Sequence, residues 1–161
     1  MLQVNAPIGN IFVDKEFIDL KNVKFEKLRI SRMDLEKRIF RKKTDLGTDI
    51  GWNLDPGIRL RPGDVFKKEG KKIVLEQLPE KVISVKIKAK NKAELMFLVG
   101  HIVGNRHRPV SLQGDEILFP IQADSELETF AKLFEGIINS IELTIKEQVF
   151  YPTLGGDLHE H

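Results

Sequence analysis

Residues 82–150 read VISVKIKAKNKAELMFLVGHIVGNRHRPVSLQGDEILFPIQADSELETFAKLFEGIINSIELTIKEQVF, and the spacing of apolar residues in this stretch decides the fold. In 82–89, Val85 and Ile87 alternate with Lys86 and Lys88, the two-residue period of a strand with one solvated face. Asn91 opens the next segment with Glu94 three positions later, a capping-box arrangement that predicts a helix start. Residues 110–113 and 116–122 (EILFPIQ) read as two strands joined by Gly114-Asp115. After Asp124-Ser125, apolar Leu127, Phe130, Leu133, Phe134, Ile137 and Ile138 fall on one helical face until Asn139-Ser140 stops it. Residues 141–150 then form a last strand.

The resulting order, β-α-β-β-α-β, predicts a ferredoxin-like antiparallel sheet with two helices on one face. Upstream the pattern differs. Residues 27–32 (KLRISR) alternate, 35–43 place Leu35, Ile39 and Phe40 among charges, and Gly47 suits the turn 44–48 before a strand at 49–54 that carries Trp52. Gly57 and Gly63 punctuate short segments with Leu54 and Leu60, and Glu69-Gly70 turns a second hairpin. No helical period is found up to about residue 76. The chain therefore reads as an α+β protein: a small all-β domain over 1–76, a connector at 77–80, a ferredoxin-like domain over 81–150, and a flexible histidine-bearing tail over 151–161.

Composition narrows the functions. The 26 basic and 24 acidic residues nearly cancel, which argues against a strong nucleic-acid or membrane partner. No run approaches the ~20 apolar residues that span a bilayer. The opening MLQVNAPIGN lacks the layout of a secretion signal, and there is no cysteine, so a cytoplasmic protein without disulfides, thiolate metal sites or cysteine nucleophiles is expected. The G-x-S-x-G elbow, the Walker loop and the H-E-x-x-H helix are all missing, and the chain does not read as an enzyme.

The four histidines are the scarcest reactive groups. His107 lies in the densest polar cluster, Gly104-Asn105-Arg106-His107-Arg108-Pro109, where Pro109 pushes the chain out of helical geometry. Two readings stand: cations capping a helix C-terminus, or a functional loop. His101 reads as a structural or half-buried histidine. His159 and His161 flank Glu160 and, in an extended chain, point the same way, so both could reach one ion.

The G-N-R-H tetrapeptide followed by Pro109-Val110 resembles the hallmark of the UreE family of urease accessory proteins. Arg41-Lys42-Lys43-Thr44-x-x-Gly47-x-Asp49-Ile50, and then Leu54-x-x-Gly57-x-x-Leu60-x-x-Gly63-Asp64, resemble that family's N-terminal β-domain, and the domain order agrees over nearly the whole chain. The resemblance implies a homodimer that carries Ni²⁺ at its two-fold axis on His107 of each copy. Asn105 and Arg106 would shape the turn or outer shell, and His159 and His161 would be accessory ligands. Histidine accepts Zn²⁺ and Cu²⁺ as well. The resemblance further implies urease apoprotein and the GTPase and scaffold assembly proteins as partners, with the N-terminal domain as the docking surface. Some relatives carry histidines on the strand after G-N-R-H or a long polyhistidine tail; this chain has neither, so one ion per dimer is the expected load.

An alternative from another class is a single-stranded RNA-binding module on the ferredoxin-like sheet, with Lys86, Lys88, Lys90 and Lys92 as a basic stripe and Phe119 and Phe150 as the only strand aromatics for stacking.

Overall fold

A computed structural model describes residues 1–18 and 25–153. The chain divides into two compact units, Met1–Leu78 and Pro79–His161.

The described residues of the N-terminal unit form two sheets. In the first, β1 (Leu2–Val4) runs parallel to β5 (Asp49–Asn53), which pairs antiparallel with β4 (Ile39–Lys43). The second has the order β2 (Gly9–Asn10), β6 (Asp64–Lys68), β7 (Lys71–Gln77), β3 (Glu26–Ile30), with β3 parallel to β7. The β6–β7 turn places Glu69 at φ 52° and Gly70 at φ 76°, the doubly positive geometry that matches strand twist in a two-residue hairpin. Alternating residues bury Leu28, Ile30, Ile50, Trp52, Phe66, Ile73 and Leu75 together, with Leu54 and Leu60 completing the cluster. The Trp52 indole N–H donates to the Lys37 carbonyl at 3.1 Å, so the bulkiest core side chain leaves no polar atom unpaired.

Among the described residues two short helices interrupt this unit, α1 (Lys15–Ile18) and α2 (Arg32–Leu35). The second is a single turn nucleated by Ser31, whose Oγ accepts from the Asp34 amide at 3.1 Å. A turn this short has no apolar period to betray it, and the strand expected over 35–43 begins only at Ile39.

The C-terminal unit follows the order β8 (Glu80–Ile87), α3 (Lys92–Asn105), β9 (Ser111–Gln113), β10 (Glu116–Pro120), α4 (Glu126–Leu133), a 3₁₀ segment Glu135–Ser140, and β11 (Ile141–Gln148). Its four strands are antiparallel neighbours in the order β11-β8-β10-β9. One face, carrying Ile83, Val85, Ile87, Ile117 and Phe119, packs on Leu95, Val99 and Val103 of α3 and on Phe130 and Phe134. The Phe119 and Phe130 rings meet at 4.5 Å between centroids.

Three local expectations need correction. Asn91 makes no side-chain cap bond; its Nδ2 reaches Glu94 Oε2 at 3.4 Å instead. The helix expected through Ile138 tightens after Phe134 into a 3₁₀ segment that contains Gly136, a weak helix former. Phe150 is not part of the last strand: it leaves β11 and lies buried against Val82 and Leu118, on the sheet face away from the helices. Among the described residues, no helix is long and apolar enough to cross a membrane.

Candidate metal centre

Helix α3 ends in a full Schellman motif. The His107 amide donates to the Gly104 carbonyl at 2.9 Å, and the Arg108 amide to the Val103 carbonyl at 3.4 Å. These bonds satisfy the last carbonyls and require the residue after the cap to take left-handed geometry, a position normally held by glycine. Here it is His107, with φ 56°. A side chain in this region costs about 1–2 kcal/mol, so the imidazole is held in a strained backbone setting.

His107 is exposed, and its ring makes no hydrogen bond or ion pair among the described residues. Both ring nitrogens are therefore open to a ligand. The carbonyl end of α3 adds a partial negative charge that favours a cation there.

Each neighbour has a separate task. Arg108 turns back into the unit: Nη1 donates to the Pro120 carbonyl at 2.8 Å and Nη2 bonds Glu126 Oε1. Burial alone would raise the Glu126 carboxyl, but the Gln122 amide, the Arg108 guanidinium and the Ala123 amide together hold it below its ordinary range. The Arg108 charge is thus neutralised locally and does not oppose an ion at His107. Arg108→Met should lower the stability of the C-terminal unit by about 1–3 kcal/mol, read as a shift of the urea midpoint, because Glu126 and the Pro120 carbonyl each lose a charged donor.

Arg106 is exposed and supplies only its backbone to the cap. The Asn105 amide faces His101, with Nδ2 at 3.3 Å from Nε2, rather than His107. His101, expected half-buried, is exposed on the solvent side of α3, one turn from Phe97, whose ring lies parallel to it at 6.3 Å and is 72% exposed. Leu95, Val99 and Val103 claim the other side of the helix, which leaves position 101 facing outward. His159 and His161 lie outside the described residues. Among the described residues, no three His, Cys, Asp or Glu side chains come together as a metal cage.

The RNA-binding alternative loses its platform. Phe119 is 0% and Phe150 1% exposed, while Lys88 and Lys92 are paired with Glu142 and Asp115.

Comparison with known proteins decides the family. The family model described as UreE urease accessory protein, N-terminal domain, matches residues 7–76. The urease accessory protein UreE of Staphylococcus saprophyticus is 35% identical over 127 residues, covering 78% of this chain and 79% of that protein. The chain belongs to the UreE urease accessory protein family. UreE of Actinomyces naeslundii is 37% identical over 70% of this chain and 68% of its own length, and UreE of Acetivibrio thermocellus 30% over 68% and 74%. These relatives are accessory proteins, not enzymes, and this UreE-family chain is one of their kind.

Proposed function

We propose that this chain is a cytoplasmic nickel metallochaperone: a homodimer that holds one Ni²⁺ between the His107 imidazoles of its two copies and passes it on during urease maturation. The observation that carries the reading is the free, exposed imidazole of His107 in a backbone position that ordinarily selects glycine. A fold keeps such strain where the side chain serves something other than packing. One imidazole does not hold an ion, whereas a two-fold axis sets a surface residue beside its own copy, and Ni²⁺ stands high in affinity for nitrogen ligands. His159 or His161 would add ligands from the tail. Zn²⁺ and Cu²⁺ fit the same donors. A site with few ligands stays open, which suits an ion that is cargo rather than structural.

In this reading the C-terminal unit is the ferredoxin-like dimerisation and metal domain. The N-terminal β-unit docks the urease apoprotein and the GTPase and scaffold assembly proteins. Native mass spectrometry with and without Ni²⁺ tests the core of it. A dimer gaining a single nickel is expected; a monomer that binds nickel fully, or a dimer that takes none, would overturn the proposal.

A further inference from the structure

The β6–β7 hairpin outruns its neighbours. Strand β2 pairs with only Asp64 and Val65 of β6, and β3 pairs with β7 from Ile73 onward, so residues 66–72 continue as a two-stranded finger. The register sets Lys67 opposite Lys72 and Lys68 opposite Lys71, four exposed lysines with Glu69 as the one acid among them. Alternate residues point to opposite faces, and the two pairs fare differently. On the face that continues Phe66 and Ile73, Lys68 donates to the Gln3 carbonyl, and Lys71 donates to Thr48 Oγ1 at 2.8 Å with Glu26 Oε1 3.8 Å away. On the other face, Lys67 and Lys72 have no hydrogen bond or ion pair among the described residues.

Like charges set directly opposite each other weaken a ladder. Edge protection does not explain the pair, since a lysine facing a glutamate guards an edge equally well and adds an attraction. The finger thus gives up stability to hold two free cations with Cβ atoms about 4.5–5.5 Å apart, a spacing at which one carboxylate accepts from both. Beside them lies an open groove of about 530 Å³, walled by Lys67, Lys68 and Glu69 on one side and by the segment from Gln3 to Ala6 on the other. We propose that the finger is a docking site for an acidic protein segment, with a partner carboxylate seated between Lys67 and Lys72. This rests on the reading of the N-terminal unit as the docking surface and gives that surface its chemistry. Two free ammonium groups fall short of the many phosphate contacts that hold a nucleic acid, and of the about four to eight cations that hold a protein on an anionic membrane.

The test is calorimetric titration of the full chain with urease apoprotein and with the GTPase and scaffold assembly proteins. Lys67→Glu/Lys72→Glu should weaken at least one of these partners about 10-fold at ~0.05 M salt, and less as salt rises, with nickel affinity unchanged. Lys67→Arg/Lys72→Arg should bind as the natural chain does. Lys67→Glu alone turns the repulsive pair into an attractive one. It should raise the melting temperature of the N-terminal unit by about 1–8 °C and still weaken docking. Full affinity of the double reversal for every partner that Trp52→Ala, with its N-terminal core emptied, no longer binds would overturn the finger and leave the docking reading standing. Partners that bind Trp52→Ala undiminished, or no partner binding the natural chain, would overturn both. If the double reversal instead lost binding to polyuridylate RNA or to phosphatidylserine vesicles with protein binding intact, the finger would belong to another class of partner and the proposal would fall.

Discussion

His107→Gly should abolish tight nickel binding and leave the C-terminal unit at least as stable as before. The two effects have separate causes, which makes the substitution more informative than alanine. Outer-shell partners of a metal site already cost about 10–100-fold when lost, and removal of the imidazole itself should exceed about 100-fold. Glycine meanwhile relieves the left-handed strain at φ 56°, and its greater freedom in the unfolded chain gives back part of the gain. The net stabilisation should be at most about 1 kcal/mol, or up to roughly 8 °C in the melting of a unit this small. His107→Ala should lose the metal equally but keep the strain. Calorimetric titration and thermal melting on the same samples separate the terms. A melting temperature several degrees lower in His107→Gly would show that the ring packs against its own fold. Nickel affinity surviving either variant would remove His107 from the ligands.

The apolar spacing made the secondary structure of the C-terminal half readable, because a sheet face and a helix face each repeat with their own period. Val85 and Ile87, or Leu95, Val99 and Val103, must point inward wherever the segment sits. What spacing does not encode is where a helix tightens or how it is capped. Gly136 weakens the second helix without breaking its apolar stripe, and Asn91 finds Glu94 instead of an amide. The same limit held at the candidate site. Pro109 announced the end of α3 but not which residue would take the left-handed position, and on charge alone Arg106, His107 and Arg108 were equivalent caps. Tertiary partners divide them: Glu126 and the Pro120 carbonyl claim Arg108, while nothing among the described residues claims the His107 ring. The exposure of His101 was illegible for a similar reason, since it follows from the register of the whole helix against the sheet. The docking of Thr153 on the β9 edge carried no sequence signal at all, because it follows from a crossing that only the sheet order reveals.

Trp52→Ala is expected to cost the N-terminal unit about 3–5 kcal/mol, the usual range for emptying a buried aromatic site. Trp52 is 2% exposed, its ring lies 4.9 Å from that of Phe40, and truncation also leaves the Lys37 carbonyl without its donor. A unit of this size has a total stability of only about 4–12 kcal/mol, so much of its folded population would be at risk at physiological temperature. The cluster around Trp52 is built from residues between Leu2 and Leu75, whereas the core beneath α3 runs from Ile83 to Ile141. Amide exchange should therefore accelerate in β3, β5, β6 and β7 while β8 and β10 keep their protection. Nickel affinity should stay within about twofold, since none of the proposed ligands belongs to the damaged unit. Urease maturation, if the N-terminal unit is the docking surface, should nevertheless fail. That combination, an ion carried but not delivered, separates docking from carrying. Full maturation by a variant whose N-terminal unit exchanges freely would place docking elsewhere, and loss of nickel binding along with the N-terminal protection would mean that the two units do not act independently.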